Sequence, residues 1–388
     1  MTSVSETAAD QADAPTGTAG LRWFVHTPMT PAWLVGRVLP ELVRLRTDAG
    51  ATTLVVRRGW LHGPHLEVVA GTADGRPLPW GEVADRLAAA TPAAGPPMAA
   101  ETYLRQAVEL GRLEHVEGPY LPLRHHGDVA WVAPEELTPW PRALRADCDR
   151  VATEVTEAAA ALLDEAARRS PEAVPAVLLA EAFIALADAH PWRAPFGSFS
   201  LRSHAEAFLA WSSVSVDPRP VFDRRLEHDL PLLVRLVEQA RDGRQSAHAL
   251  GWRRAFTAAM DRFREAAEAG RLSNELLEEL AGAWGPGRDA PMGPPGAPTA
   301  RRAAAAPFHQ QVRASGVTDD PGQWFAGFRL MINLFYRQLP LLGVTPAQRY
   351  YLCYAVAGAI DEAHGETWQQ RLNRIAQARK DPHDHDRD

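Results

Sequence analysis

A single lysine, Lys380, occurs in this sequence, so nearly all of its positive charge is arginine. A lysine Schiff base, a pyridoxal anchor and the Gly-Lys-Ser/Thr phosphate loop therefore have no residue to build on. Cysteine is almost as scarce. Cys148 and Cys353 are the only two, too few for a thiolate metal site or a disulfide framework. No apolar run approaches the roughly 18 residues that span a bilayer, so no membrane association is expected. Basic residues are not in excess either: 41 Lys and Arg stand against 48 Asp and Glu, a net charge of −7. Such a chain lacks the positive field that holds a phosphate backbone, which excludes a general nucleic-acid binder. The GxSxG elbow, the strand-linked GxGxxG and the glycine-rich kinase loop are missing too. The opening MTSVSETAADQADAPTG has no apolar signal core, and with so few cysteines a reduced, cytoplasmic setting is expected.

What is present suits a soluble globular protein. The chain has 388 residues, 46% hydrophobic and 23% charged, room for about two or three domains. Residues 1–20 are small and polar and read as a disordered leader. An α+β region is expected over 21–141. There Arg22 to His26, Thr52 to Arg58 and His65 to Ala70 read as strands, and Pro31 to Ala49 reads as a helix interrupted near Pro40. Leu110 to Leu137 reads as a loop-rich crossing with one or two further strands. Residues 142–284 turn helical, with amphipathic patterns over Val151 to Ala167, Ala173 to Ala189, Ser203 to Ala210, Leu230 to Arg241, Trp252 to Gly270 and Ser273 to Trp284. The Pro/Gly/Ala-rich stretch 285–306 reads as a flexible connection. Over 307–376 two strong helices are expected, about Pro321 to Arg337 and one opened by Thr345 as cap with Pro346 behind it, stopping at Gly365. In that second helix Leu352, Val356 and Ile360 form an apolar line. Residues 377–388 read as a disordered tail. The fold class is thus α+β, with a mixed or antiparallel sheet region and a larger helical region packed on it.

Among groups that could carry chemistry, the 14 histidines include His62, His65, His125 and His126 in or beside turns. None has acidic partners at metal-site spacing, so no metal and no cofactor is expected. Ser203-x-x-Glu206 has capping-box spacing, which would start a helix and place His204 at its first position. A helix N-terminus disfavours imidazolium, leaving His204 neutral and able to move a proton, although capping alone would also explain the pattern. Arg329, Asn333 and Tyr336 fall at i, i+4 and i+7 on one helix, a line of donors suited to peptide carbonyls or a carboxylate, or simply a solvated face. Arg57 and Arg58 close a strand just before the turn WLHGPHL, where sheet proteins often assemble sites.

The stretches WFVHTP and LVVRRGWLHGPHLEVVA, the latter with Gly63-Pro64-His65-Leu66, together with SHAEAF around His204 and the C-terminal INLFYRQLPLLGVTP and RYYLCYAVAGAIDEAHGETW, resemble the thiopeptide-type bacteriocin biosynthesis domain. That family is related to the C-terminal elimination domain of lantibiotic dehydratases. Two departures point within it. Members that eliminate glutamate follow His-Leu with an Arg-x-Arg grip on the glutamyl carboxylate, whereas this chain has Glu67-Val68-Val69. They also carry His-Met-x-x-Asn-Arg on a late helix, where this chain has Arg329-Leu330-Met331-Ile332-Asn333-Leu334 and keeps only the Asn. The chain is most similar to the stand-alone thiopeptide pyridine synthases.

The resemblance implies a formal [4+2] cyclase that joins two dehydroalanines of a modified precursor peptide, with loss of water and release of the leader. On that reading His204 is a proton shuttle, Tyr336 a donor to the iminol, and Arg329 a clamp on the precursor, with Asn333, Arg57, Arg58 and His65 as further binding residues. The partner is the precursor peptide with its leader, and a homodimer stays open. The alternatives are glutamate elimination from glutamylated Ser/Thr, or a non-catalytic scaffold that binds the precursor.

Overall fold

The computed structural model describes residues 14–15, 17–92, 98–114, 116–134, 140–212, 217–282, 306–317 and 322–380. The connection expected at 285–306 lies outside them except for Ala306, as does most of the expected leader, 1–13 and 16, and the tail from 381 onward.

The sheet forms where β-branched and aromatic residues alternate with smaller or polar ones. Strands β1 (Gly20–Phe24), β2 (Thr53–Gly59), β3 (His65–Gly71) and β4 (Val129–Val132) pair antiparallel in the order β2-β3-β1-β4. Helix α1 covers 31–47, with a π-helical turn at Leu34–Val38 just before Pro40. That turn is the expected interruption, because a proline ring cannot sit in an undistorted helix interior. Register puts Leu21 and Trp23, Leu66 and Val68, and Leu54 and Val56 on one face, all buried, against α1 and the long α4. The opposite face aligns Arg22, Glu67 and Arg57 across three strands.

Two helices of the N-terminal region were not foreseen: α2 (Trp80–Ala89) and α3 (Ala100–Glu114), the latter taking Leu110 to Glu114 out of the loop-rich crossing expected there. Beyond them lie α4 (Arg142–Arg169), α5 (Ala176–Asp188), α6 (Arg193–Ser212), α7 (Arg219–Arg241), α8 (Ala247–Glu268), α9 (Asn274–Gly282), α10 (Pro307–Ala314), α11 (Gly322–Gln338), α12 (Pro346–His364) and α13 (Trp368–Lys380). Helix α13 continues into residues 377–380, which had read as tail. Helix α12 opens with the capping box expected of Thr345 and ends at Gly365, whose φ is 60°.

Helix α11 is the hub. It packs on α8 and α4, and Phe335 sits edge-on to Phe183, Trp252 and Phe256. The free edge of β2 is stitched to the helices: Leu54 N donates to Thr153 Oγ1 (3.0 Å) and Gln338 Nε2 donates to Val56 O (2.7 Å). Covering an edge strand in this way removes a template for unwanted pairing. One buried apolar cluster runs from the sheet through the helices without a break.

Candidate active site

Past Val56 the end of β2 borders a cleft between the sheet, the end of α3, and helices α11 and α12. Its walls include Arg57, Arg58, His65, Asn333 and Tyr336. Five residues singled out in the sequence, from two distant segments, are thereby brought together.

On the sheet side, Glu67 accepts from Arg22 Nε (2.9 Å) and lies 3.5 Å from Arg57 Nη1. Burial pushes its carboxyl up, but Arg57, Arg22 and Arg337 outweigh this and hold it below the ordinary value. Arg57 is thus committed to Glu67. His65 is buried, with Nδ1 2.9 Å from Gly63 O, so a neutral ring carries its proton on Nδ1. Gly59, opposite His65 in register, leaves room for that ring, since a Cβ there would stand 2.3 Å from His65 Nε2. The turn between them needs Gly63 at φ 126° and strains His62 to φ 61°.

On the helix side, the Tyr336 hydroxyl lies 2.9 Å from His204 Nδ1 and 3.0 Å from Cys353 Sγ. Burial, with Arg349, His309 and Arg329 adding to it, pushes His204 down to about 3. Burial and Cys353 push Tyr336 well up, and burial raises the Cys353 thiol to about 12. At neutral pH all three groups are uncharged, with both the hydroxyl and the thiol protonated. The tautomer of His204 then sets the direction of the chain, because Tyr336 donates to a bare Nδ1 but accepts from Nδ1–H.

The reason for the neutrality of His204 differs from the expected one. Helix α6 begins at Arg193 and has Pro195 in its first turn, so Ser203, His204 and Glu206 lie in its interior. Ser203 Oγ bonds His309 Nε2 (3.0 Å) and Glu206 accepts from Arg219 Nη2 (2.7 Å). Capping-box spacing carries no cap when tertiary partners take up its side chains, and burial does what the helix terminus was expected to do. Arg329 is not brought to the cleft. It reaches Asn274 Oδ1 (3.4 Å) and Glu278 (3.8 Å) on α9, because position 329 is about two turns from Tyr336 along α11.

Arg349, missed in the sequence, also lines the cleft and is only 5% exposed. Its guanidinium carbon is 5.4 Å from the Tyr336 ring centre and 4.9 Å from that of Tyr350, within cation–π range. Its Nη1 is 3.8 Å from Glu114, which in turn accepts from Trp60 Nε1 (3.0 Å). A signal did exist: 349 continues the stripe of Leu352, Val356 and Ile360 at helical spacing, so this arginine sits on the apolar face of α12. Among the described residues no group of three or more His, Cys, Asp or Glu is placed to hold a metal ion. None of their helices is long and apolar enough to cross a membrane.

No family model and no curated protein matches the sequence. Solved structures do match. The pyridine synthase TbtD from thiomuracin biosynthesis is similar over 89% of this chain and 99% of its own, with 22% identity and a TM-score of 0.63. TsrL is similar over 92% of this chain and 99% of its own, with 19% identity and a TM-score of 0.56. The resemblance to the stand-alone pyridine synthases is thus matched in three dimensions, and the chain has the fold of TbtD and TsrL.

Proposed function

We propose that the protein acts in thiopeptide biosynthesis as a pyridine-forming cyclase on a modified precursor peptide. Two dehydroalanines are joined in a formal [4+2] step: two carbon–carbon bonds' worth of π electrons close a six-membered ring, the former amide oxygen leaves as water, and the leader peptide leaves as an amide. The diene needs its amide as the iminol, which requires one proton delivered to oxygen and one removed from nitrogen, with no net change of charge.

The observation that carries this reading is the uncharged His204–Tyr336–Cys353 chain, of which Tyr336 lines the cleft and the other two stand behind it. A neutral hydroxyl held between an acceptor and a donor can give a proton and regain one without leaving an ion in a buried site. His204 is the shuttle behind it, Tyr336 the donor to the iminol and then to the departing groups, and Asn333 and His65 present an amide and an imidazole to peptide groups. Positioning contributes most: holding two ends of one peptide in contact supplies up to roughly 7–11 kcal/mol, against about 10²–10⁴-fold for proton transfer. The test is incubation with a bis-dehydroalanine, thiazole-bearing precursor. Mass spectrometry should find the ring-closed core and a free leader amide. Loss of glutamate from a glutamylated peptide instead would overturn the reading.

A further inference from the structure

The cleft carries more positive charge than its own residues neutralise. Four guanidiniums, from Arg57, Arg58, Arg337 and Arg349, line it against the carboxylates of Glu67 and Glu114. Arg57 is taken up by Glu67. Arg58, half-buried on the same strand, makes no ion pair or side-chain hydrogen bond among the described residues, and burial alone lowers its affinity for its proton. Arg349 is the more telling. It is almost wholly buried, its Nη1 faces Glu114 at 3.8 Å, the Tyr350 side chain also bonds to its guanidinium, and its Nε and Nη2 complete no well-formed hydrogen bond among the described residues. Those two atoms form one edge of the planar guanidinium, the edge whose parallel N–H bonds match the two oxygens of a carboxylate. A buried donor pair left unmade costs free energy that a ligand would recover.

We propose that the Nε/Nη2 edge of Arg349, assisted by Arg58, is a carboxylate-recognition site of the peptide-binding cleft, gripping an acidic side chain or the C-terminal carboxylate of the peptide. The proposal rests on the reading that the peptide lies in this cleft, and it names the group by which the peptide is held. The carboxylate binds bidentate on Arg349, with the planar guanidinium held in place by Tyr336, Tyr350 and Glu114. The grip thus comes from α12, on the far wall from the β3 position where Glu67 stands.

Small probes that cannot cyclise separate this proposal from the cyclase reading. Binding to the full chain is measured by calorimetry or ligand-observed NMR for N-acetylglutamate N-methylamide and N-acetylalanine, and for their neutral counterparts N-acetylglutamine N-methylamide and N-acetylalanine N-methylamide. At least one acid should bind about tenfold or more tighter than its amide, as a charge-assisted bidentate pair requires. Whichever acid gains more identifies a side-chain or a terminal carboxylate as the source. Arg349→Lys keeps the charge but not the fork and should abolish most of this preference. Should a lysine there unfold the chain, Arg58→Gln, at a half-buried position without ion pairs, must still reduce the preference. Equal affinity for both acids and their amides, or an acid preference that survives Arg349→Lys in folded protein, overturns the proposal whatever the protein does to a bis-dehydroalanine peptide.

Discussion

Replacing Tyr336 by phenylalanine removes one oxygen from the centre of the site and little else. The ring keeps its neighbours, since Phe183, Phe335 and the Arg349 guanidinium lie 6.2, 6.0 and 5.4 Å from its centre. Two hydrogen bonds go, to His204 Nδ1 and Cys353 Sγ. At about 1 kcal/mol net for each bond, the variant should lose about 2 kcal/mol of stability and melt a few degrees lower. If the hydroxyl passes protons in the reaction, its loss should cost about 10²–10⁴ in turnover, while peptide binding stays close to wild type. A group that acts mainly in the transition state shows this split. The assay is single-turnover cyclisation of a bis-dehydroalanine precursor followed by mass spectrometry, with peptide affinity from fluorescence anisotropy and folding from circular dichroism. Wild-type turnover in folded Tyr336→Phe would refute the assignment, and so would a loss of turnover fully matched by a loss of affinity.

Other outcomes follow from the same structure. His190 and His204 are both pushed down to about 3 by burial, so the unfolded chain binds more protons than the folded one between about pH 6.5 and 3. Urea denaturation should therefore show stability flat above pH 6.5 and falling below it, by up to about 1.4 kcal/mol per pH unit for His190 and less for His204, which keeps some contact with water. For the same reason the pH profile of turnover should lack a His204 limb near 6.5; a limb there that disappears in His204→Gln would contradict the buried, neutral imidazole. Arg329→Ala should leave peptide affinity unchanged, because Arg329 faces α9 and not the cleft; a large loss in anisotropy would return it to the binding surface. Gly59→Ala should force the His65 ring off its contact with Gly63 O and cost about 1–3 kcal/mol, read as a lower melting midpoint together with weaker peptide binding.

Local chemistry made much of this fold legible. The alternation of Leu54, Val56, Leu66 and Val68 marked the sheet, and Thr345-Pro346 with Gly365 bounded α12 within a residue. Helices α2 and α3 escaped although each carries an apolar stripe at helical spacing, Trp80, Val83, Ala84 and Leu87 in one and Tyr103, Ala107 and Gly111 in the other; each is flanked by prolines or turn signals, which drew the reading toward loops. The site was half legible. Residues beside a turn or on a polar helix line, such as Arg57, Arg58, Asn333 and Tyr336, could be picked out, but not what they touch: His204 and Tyr336 are 132 positions apart, and no local pattern tells that α6 and α11 meet there. The Ser203-x-x-Glu206 spacing misled because the same spacing recurs inside helices. Arg349 was overlooked because it stands in a run that reads as core; its meaning lies in being a charge on that core face.

The most direct test of the account is the reaction itself. A thiazole-bearing precursor with two dehydroalanines and its leader attached, mixed with the wild-type protein, should yield a core that has lost one water together with a stoichiometric leader amide, and should show the ultraviolet absorbance of a new pyridine. Recovery of unchanged peptide that nevertheless binds tightly would contradict catalysis and leave a scaffold that holds the precursor.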